Sequence, residues 1–263
     1  MMRTDSGTEV VAAPHVHPDR TPLGELINLG QLEQMSPEQM LRWAWEHYGD
    51  RAGIITSFQD TGCVLIDMMS RHAPGMRVIT IDTLRLHPET LEHIERMRER
   101  YRVRLERFTP DPDAVERMVR QHGEYLFFDS KAKQEYCCAV RKVEPNRRAL
   151  ASLDVWFTGL RRDQSAFRAG TPRAQWVVID GRSILKLAPL ADWPESRVLA
   201  YLEERGVPRN PLMEQGYKSI GCVICTTPVL PHEPARAGRW RWFNALESGD
   251  KKECGIHIHG SGI

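Results

Sequence analysis

Four of the six cysteines in this chain lie in two close pairs, Cys137 with Cys138 and Cys222 with Cys225. Four thiolates can hold a tetrahedral zinc ion or an iron–sulfur cluster, and the number of ligands alone leaves both open. The Cys-x-x-Cys spacing of the second pair is a strong ligand pattern. Adjacent cysteines point in different directions on a regular helix, so the backbone must end or distort there if both bind one metal centre. The alternative is a set of buried thiols with an accidental Cys-x-x-Cys spacing.

The other two cysteines differ in their surroundings. Cys254 lies close to Lys251, Lys252 and His257. Nearby cations favour the thiolate, which is the nucleophilic form of the side chain. The alternative for Cys254 is a spare surface cysteine. Cys63 begins an apolar segment, which predicts a small buried core residue.

Two groups of basic residues could bind an oxyanion such as sulfate or phosphate, because a guanidinium binds these groups through paired hydrogen bonds. One group is Arg161, Arg162 and Arg168, which follow a strand and Gly159; the other lies within 236–241. A solvated charged surface is the alternative for each group. The first group follows the carboxyl end of a strand, where open α/β sheets bind ligands, and this favours a function.

Polar residues also follow the first two expected strands. Ser57 begins a turn that can present backbone N–H groups to an anion. Asp82 and Thr83 follow the next strand, in the position for a ribose or adenine contact. The alternative for these residues is that they cap the next helices.

The elements that would position these residues alternate between strand and helix, which predicts an α/β fold with a mostly parallel sheet. The segment 103–108 alternates like an edge strand, and the residues on either side of Gly181 predict a hairpin. Strands are expected at 53–56, 78–81, 103–108, 155–158, 176–180 and 183–187, and helices at 36–47, 63–69, 87–101, 111–121 and 193–205.

Length and composition are those of an ordinary globular chain. The 263 residues are 41% hydrophobic and 27% charged, with a formal net charge of +1. No apolar stretch approaches the ~18 residues that a membrane span needs, which excludes an integral membrane protein. The small net charge gives no whole-molecule attraction to nucleic acid or to membranes.

The ends of the chain differ from its middle. Residues 1–20 are polar and lack the apolar core of a signal peptide, so we expect a disordered extension and a reducing, cytoplasmic location. One domain is expected over 21–227, and it is followed by a tail over 228–263.

Five motifs, in order along the chain, resemble the assimilatory sulfonucleotide reductases, which reduce adenylylsulfate or phosphoadenylylsulfate. The resemblance covers nearly everything from about residue 36 to residue 259. The motifs are Cys137-Cys138 with Arg141-Lys142 and Pro145; 158–165; Asn210-Pro211-Leu212 leading to 217–222; 236–240; and Glu253-Cys254-Gly255-Ile256-His257.

The resemblance implies a single Rossmann-like domain of the adenine nucleotide α-hydrolase type, with a flexible C-terminal tail. It implies that Cys254 attacks the sulfur of the sulfonucleotide, expels AMP and becomes an S-sulfocysteine, from which thioredoxin releases sulfite. The branch with both cysteine pairs mostly uses adenylylsulfate and binds one [4Fe-4S] cluster, here through Cys137, Cys138, Cys222 and Cys225. The sequence leaves the oligomeric state open, and a homo-oligomer is compatible with it.

The same resemblance assigns the substrate contacts. Lys142 would lie between the cluster and the sulfate, and Arg168, Arg236 and Arg239 would hold sulfate and phosphate. Two positions depart from the family pattern: Leu84 stands where glycine is usual, and the residues from Gln59 to Gly62 replace small and acidic ones. The expected contacts are Ser57, Asp82, Thr83, Lys142, Gly159, Leu160, Arg161, Arg162, Gln164, Arg168, Arg236 and Arg239.

Three other functions compete with reduction of adenylylsulfate. The first is a reductase of phosphoadenylylsulfate or of both nucleotides: the branch specific for phosphoadenylylsulfate has the Glu-Cys-Gly motif without the two cysteine pairs, and some members with the pairs accept both nucleotides. An ATP-using sulfur transferase or adenylating enzyme needs a Ser-Gly-Gly-x-Asp-Ser loop, which the segment after Ser57 lacks. A zinc-stabilised nucleotide-binding or redox-sensing module would not depend on Cys254 for turnover.

Overall fold

A computed structural model describes residues 18–244, and its strands form one sheet. The strands are β1 (Ala52–Ile55), β2 (Arg77–Ile81), β3 (Leu105–Phe108), β4 (Val155–Phe157), β5 (Ala174–Ile179) and β6 (Arg182–Leu187). Their order is β3-β2-β1-β4-β6-β5, and all neighbouring pairs are parallel except β5 with β6. The expected α/β fold with a mostly parallel sheet is confirmed.

Helices cover this sheet, and most of them match the expected positions within a few residues. The expected helix after Ser57 starts earlier, at Asp60, so the loop between β1 and this helix is short. The prediction missed the first, sixth, seventh and ninth helices. The helices are α1 (Leu29–Gln34), α2 (Pro37–Tyr48), α3 (Asp60–His72), α4 (Pro88–Tyr101), α5 (Pro112–His122), α6 (Lys131–Cys138), α7 (Glu144–Ala151), α8 (Glu195–Glu204) and α9 (Arg241–Asn244).

The start of α2 shows how local sequence sets these boundaries. The Ser36 hydroxyl accepts a hydrogen bond from Gln39 N at 3.2 Å, and the Gln39 side chain accepts one from Ser36 N at 2.8 Å. This reciprocal capping box satisfies two backbone donors that a helix otherwise leaves free. Pro37 follows at the first helical position, where its fixed φ is already helical.

The central strands are buried on both faces, and alternate residues belong to two different cores. Ile54 packs in a core with the apolar residues of α2, α3, α4 and α8. Ile55 packs in the other core, with Trp156 of β4 and Leu150 of α7. This period of two is the side-chain alternation of a strand between two helical layers. β3 is only partly buried and lies at the sheet edge, as its pattern predicts.

The hairpin between β5 and β6 is also confirmed. Asp180 and Gly181 join the two strands, with φ of 50° and 75°. A two-residue turn with positive φ at both positions matches the twist of the strands, and Asp-Gly is a favoured sequence for it.

The sheet has a switch point between β1 and β4. From β1 the chain proceeds to β2 and β3 on one side, and from β4 it reaches β6 and β5 on the other. Loops that leave the carboxyl ends of such a strand pair diverge, and open α/β sheets bind ligands in the crevice between them. Within residues 18–244, no helix is both long and apolar enough to cross a membrane.

Candidate active site

A cavity of about 400 Å³ opens at the carboxyl ends of β1, β2 and β4. This volume lies within the range of small-molecule sites. The loops after these three strands form one wall. Helix α6 and the segments around Cys222 and Arg239 form the other. The switch point and both cysteine pairs therefore share a single cavity.

The loop after β1 is held in one conformation by buried groups. Phe58 has a φ of 55°, which is strained for a residue other than glycine. Its N–H donates to the Thr56 hydroxyl at 3.0 Å, and its carbonyl accepts from the Cys63 thiol at 3.4 Å. A Cβ on Gly62 would lie 2.0 Å from Thr56 Oγ1, so only glycine fits there. Cys63 is fully buried, as its sequence predicts.

The loop after β4 packs against the start of α3. A Cβ on Gly159 would stand 3.3 Å from the Thr61 Cβ atom, so the two segments approach closely. The buried Arg161 donates to the Thr61 hydroxyl at 2.9 Å and to the Asp163 carboxylate at 2.9 Å. Arg161 therefore joins the two loops that line the cavity, and its charge is already matched by Asp163.

Arg168 and Gln164 stand further along the same loop. Arg168 is buried, and its Nη1 donates to Gln164 Oε1 at 2.5 Å. Both side chains line the cavity, and so does Leu160. A buried guanidinium at the carboxyl end of a strand is suited to an oxyanion.

Two expected substrate contacts, Arg162 and Asp82, do not line the cavity, and their contact with substrate stays a prediction. The exposed Arg162 donates from Nε to the Thr171 carbonyl at 2.9 Å. Asp82 is turned back on its own loop, since its carboxylate accepts from Leu84 N at 2.9 Å. The neighbouring Thr83 does line the cavity. Both departures arise from local hydrogen bonds that spacing along the chain does not reveal.

The first cysteine pair ends a helix that widens at once into a π-helical turn. The turn, Ala139–Val143, lies between α6 and α7, and the Glu144 N–H donates to the Ala139 carbonyl. Pro145 has no N–H to give to the Arg141 carbonyl, and its ring would crowd that carbonyl in a regular helix. The wider turn relieves this conflict, and such turns are frequent at functional sites. The backbone distortion expected beside Cys138 is therefore present.

The second pair lies on a short turn that glycine and Arg239 hold in place. Cys225 N donates to the Cys222 carbonyl at 2.9 Å across this turn, Val223–Cys225. Gly221 N donates to the Thr226 hydroxyl at 3.0 Å. A Cβ on Gly221 would lie 2.4 Å from the Arg239 guanidinium, so glycine leaves the room that this arginine occupies.

The four thiols line the same cavity and are chemically suited to bind iron or zinc. Burial raises the pKa of the Cys225 thiol to about 12, and the neighbouring Cys222 adds to the shift. Burial also raises the pKa of Cys137, against the opposite effect of Arg141. Buried thiols of this kind carry protons unless a cation displaces them.

Polar groups contact two of these sulfur atoms. The Thr83 hydroxyl is 3.2 Å from Cys222 Sγ, and the Gln134 amide donates to Cys138 Sγ at 3.1 Å. Hydrogen bonds to sulfur orient a metal ligand and tune its charge. Within residues 18–244, no three side chains of Cys, His, Asp or Glu are grouped as a single metal ion would require. Four thiols in one cavity are the donor set of either a zinc ion or an iron–sulfur cluster.

Basic residues of the first and the fourth motif reach the same cavity. Lys142 lies on the π-helical turn and is half-buried. Arg236 and the buried Arg239 come from the segment after the second cysteine pair. Arg239 donates to the Ile220 carbonyl at 3.3 Å and lies 4.6 Å from the centroid of the Trp240 ring.

The chain matches a known domain over most of its length. The profile of the phosphoadenosine phosphosulfate reductase domain matches residues 52–228. The chain belongs to this reductase family. It is 44% identical over 202 residues to adenosine 5'-phosphosulfate reductase of Allochromatium vinosum, and the match covers 77% of each chain. It is 38% identical over 253 residues to the reductase of the same name from Pseudomonas aeruginosa strain LESB58, over 92% of this chain and 91% of that protein.

Two solved structures have a fold similar to that of this chain. Phosphoadenylyl-sulfate reductase from Candida auris, in a phosphate complex, is similar with a TM-score of 0.64 and 30% identity, over 76% of this chain and 96% of that chain. FMN adenylyltransferase from Candida glabrata, at 14% identity and a TM-score of 0.51 over 78% of this chain and 73% of that chain, shares the fold alone. The family, the enzyme class (an oxidoreductase) and the nucleotide-binding fold that the motifs predict are confirmed.

The reductase cavity is also lined by residues that the motifs do not predict as part of the site. Asp60 begins α3 and forms a two-pronged ion pair with Arg209 at 2.7 and 3.1 Å. Gln59 bonds to the backbone of Ile220. No signal in the sequence joins residues so far apart along the chain. Cys254, the expected nucleophile, lies outside the described residues.

Residues 228–244 begin the expected tail of the reductase and pack on its body. Arg239 forms an isolated bridge with Thr226, and Trp240 is 6% exposed. Arg241 pairs with Glu233 at 2.7 Å. Arg236 and Arg239 are therefore carried on a structured segment, which fixes them at the cavity.

Proposed function

We propose that this chain reduces adenylylsulfate to sulfite and AMP, with thioredoxin as the electron donor, in sulfate assimilation for cysteine biosynthesis in the cytoplasm. The observation that carries the proposal is the meeting of both cysteine pairs with the basic residues in one cavity of a nucleotide-binding sheet. Curated relatives at 38–47% identity are named adenosine 5'-phosphosulfate reductase, which supports the choice of substrate.

The nucleophile of the proposed reaction is the thiolate of Cys254. It attacks the sulfur of the sulfate group; the bond from sulfur to the bridging oxygen breaks, and AMP leaves with the electron pair. The product is an S-sulfocysteine. A thioredoxin thiolate then attacks Cys254 Sγ and sulfite leaves, after which the second thioredoxin thiol completes a disulfide in thioredoxin and frees Cys254.

The chain's own residues have three tasks in this reaction. Arg168, Arg236 and Arg239 offset the charge of the sulfate and of the departing phosphate, which grows in the transition state. Lys142 holds positive charge between the thiols and the sulfate. The loops that begin at Ser57 and Gly159 hold the nucleotide, so that the sulfur is presented to Cys254.

A [4Fe-4S] cluster on Cys137, Cys138, Cys222 and Cys225 completes the proposal. The choice of a cluster over a zinc ion rests on the resemblance to the family branch that carries both cysteine pairs, because four thiols alone suit either group. Cys137 and Cys138 of α6 and Cys222 and Cys225 would hold the cluster, which would supply a fixed charge near Lys142. The electrons of the reaction come from thioredoxin, so the cluster need not change its redox state.

The test is sulfite release from adenylylsulfate by purified protein with thioredoxin, thioredoxin reductase and NADPH. The Cys254→Ser variant should release no sulfite yet keep its iron, and Gln121→Ala, at an exposed position of α5 outside the cavity lining, is the control that remains active. Turnover near that of the unchanged protein in Cys254→Ser would contradict the role of Cys254. Metal analysis of anaerobically purified protein should give about four irons and four sulfides per chain; zinc without sulfide would contradict the cluster.

The same assay with phosphoadenylylsulfate tests the substrate. We expect kcat/KM to favour adenylylsulfate by about tenfold or more, which corresponds to about 1.4 kcal/mol in the transition state. Equal values for the two nucleotides would replace this choice with a reductase of dual specificity.

A further inference from the structure

The side chain of Gln59 pairs with both backbone groups of a single residue, Ile220, on the other side of the cavity. Its Oε1 accepts from Ile220 N at 2.9 Å, and its Nε2 donates to the Ile220 carbonyl at 3.3 Å. The two residues are 161 positions apart along the chain. A primary amide carries one acceptor and two donors, so it can bond to the N–H and the C=O of one residue at once. The pairing resembles one step of a β-ladder made by a side chain.

Gln59 is itself fixed on the nucleotide side. It precedes α3 as the N-cap residue, and its Nε2 also donates to the Ser57 hydroxyl at 2.7 Å. The strained Phe58 before it is held at its N–H and at its carbonyl by Thr56 and Cys63. Movement of this loop therefore moves Gln59.

Ile220 is equally close to the metal-binding side. It lies two residues before Cys222. Gly221, between them, donates a hydrogen bond from its N–H to the Thr226 hydroxyl. Beyond Cys222, Val223 N donates to the Arg85 carbonyl at 2.8 Å. A shift of the Ile220 backbone therefore also shifts the backbone of Cys222.

We infer that Gln59 is a positioning residue that couples nucleotide binding to the order of the segment carrying Cys222 and Cys225. The inference rests on the proposed function, because it takes AMP as a ligand of the first loop and the thiols as ligands of the cluster. A nucleotide that orders the loop at Ser57 also orders residues 220–226 through the Gln59 amide. By reciprocity, the filled cysteine site favours the loop conformation that binds nucleotide. Gln59 is uncharged and need not touch the reacting atoms.

The coupling is measured on the purified holoprotein with AMP as the probe. The first readout is the rate at which visible absorbance is lost in excess EDTA, with and without saturating AMP. The second is amide hydrogen exchange of peptides covering 219–226, which requires no cluster. Allosteric coupling is commonly about 5- to 150-fold, so we expect AMP to slow cluster loss by at least about fivefold in the unchanged protein.

Substitution of Gln59 distinguishes coupling to AMP from a contact that stabilises the segment equally with and without AMP. Gln59→Met keeps the size of the side chain but removes both hydrogen bonds, and we expect the AMP effect to fall below about twofold on both readouts. Gln59→Glu keeps the acceptor and loses the donor, so it should retain part of the effect and serves if the first variant folds poorly. Gln215→Met, an exposed glutamine outside the cavity lining, is the matched control and should behave as the unchanged protein.

Two results would overturn the inference. One is an equal AMP effect in the unchanged protein and in Gln59→Met, with AMP bound in both by calorimetry. The other is faster cluster loss in Gln59→Met by the same factor with and without AMP, since a purely stabilising tether acts in that way. A protein without iron would contradict the cofactor of the proposed function, while hydrogen exchange of 219–226 would still decide the role of Gln59.

Discussion

Leu84 occupies a position where the backbone itself favours glycine. Its φ is 58°, and its N–H is held by the Asp82 carboxylate at 2.9 Å. The side chain is 55% exposed, so little packing offsets the strained conformation. The departure from the usual family residue therefore has a conformational cost, and it lies next to Thr83 on the cavity wall.

Replacing Leu84 with glycine should stabilise the protein. The left-handed conformation costs an L-residue roughly 1–2 kcal/mol, and glycine loses roughly 0.5–1 kcal/mol in entropy, so the gain should be about 0.5–1 kcal/mol. Chemical denaturation of Leu84→Gly measures it. Leu199→Gly, at an exposed helical position in α8, is the control and should lose about 1 kcal/mol. Destabilisation in both variants would contradict the role of φ.

His93 gives the protein a specific dependence of stability on pH. Burial, with a smaller contribution from Arg96, lowers its pKa from 6.5 to about 4. The unfolded chain binds a proton below its own pKa of 6.5, while the folded chain does not until about pH 4. The stabilising contribution is therefore complete above pH 6.5 and is lost as the pH falls towards 4.

Between about pH 7.5 and about pH 5.5, His93 should account for a loss of about 1.4 kcal/mol in the free energy of unfolding. The His93→Gln variant should lack this part of the slope, even if it is less stable at every pH. His122→Gln, an exposed histidine on α5, is the control and should keep it. Equal slopes for the two variants would show that His93 is not the group responsible.

Some residues of the site can be predicted from the sequence, and others cannot. Lys142 and Arg239 are identifiable because motifs carry them, and Arg168 because it belongs to a basic group after a strand; all three line the cavity. Asp82 follows β2 and Arg162 lies within the motif 158–165, yet neither side chain lines the cavity, and each is held by a local hydrogen bond. The role of Gln59 could not be predicted from the sequence, where it is only a departure from the family pattern. Its partner Ile220 is distant along the chain.

At the scale of elements, apolar runs predicted the strands well because burial on both faces leaves little choice of residue. β1 and β4 are fully buried along their length. The region 131–151 was not predicted, because a polar helix that changes its pitch has no simple period. Its cause is local: Pro145 interrupts the hydrogen bonding between α6 and α7.

The π-helical turn should depend on Pro145. Pro145→Ala restores the missing N–H, so the helix from α6 to α7 can become regular, which turns Cys137 and Cys138 relative to α7 by about 100° for each residue absorbed. We expect iron per chain to fall by about half or more while far-UV circular dichroism is retained. Pro112→Ala, at the first position of α5, is the control and should keep its iron. Unchanged iron in Pro145→Ala would contradict this role.

At the scale of the whole molecule, charge is distributed unevenly. The formal net charge is only +1, yet basic side chains outnumber carboxylates on the described cavity wall. Two of those carboxylates, Asp60 and Asp163, are already in ion pairs with Arg209 and Arg161. The cavity therefore attracts anions, although the molecule as a whole does not.

Ionic strength should accordingly weaken the binding of a nucleotide anion through the cavity rather than through net charge. We expect the Kd of AMP to rise by about threefold or more from about 0.02 M to about 0.3 M salt, because screening shortens the reach of the basic side chains.

Arg236→Gln should flatten this dependence of the Kd on salt. Arg51→Gln changes the net charge equally, but Arg51 precedes β1 at the other end of the sheet and pairs with Asp154, so its slope should match that of the unchanged protein. Calorimetric titrations at several salt concentrations measure all three slopes, and equal flattening in both variants would assign the attraction to the whole molecule instead of the cavity.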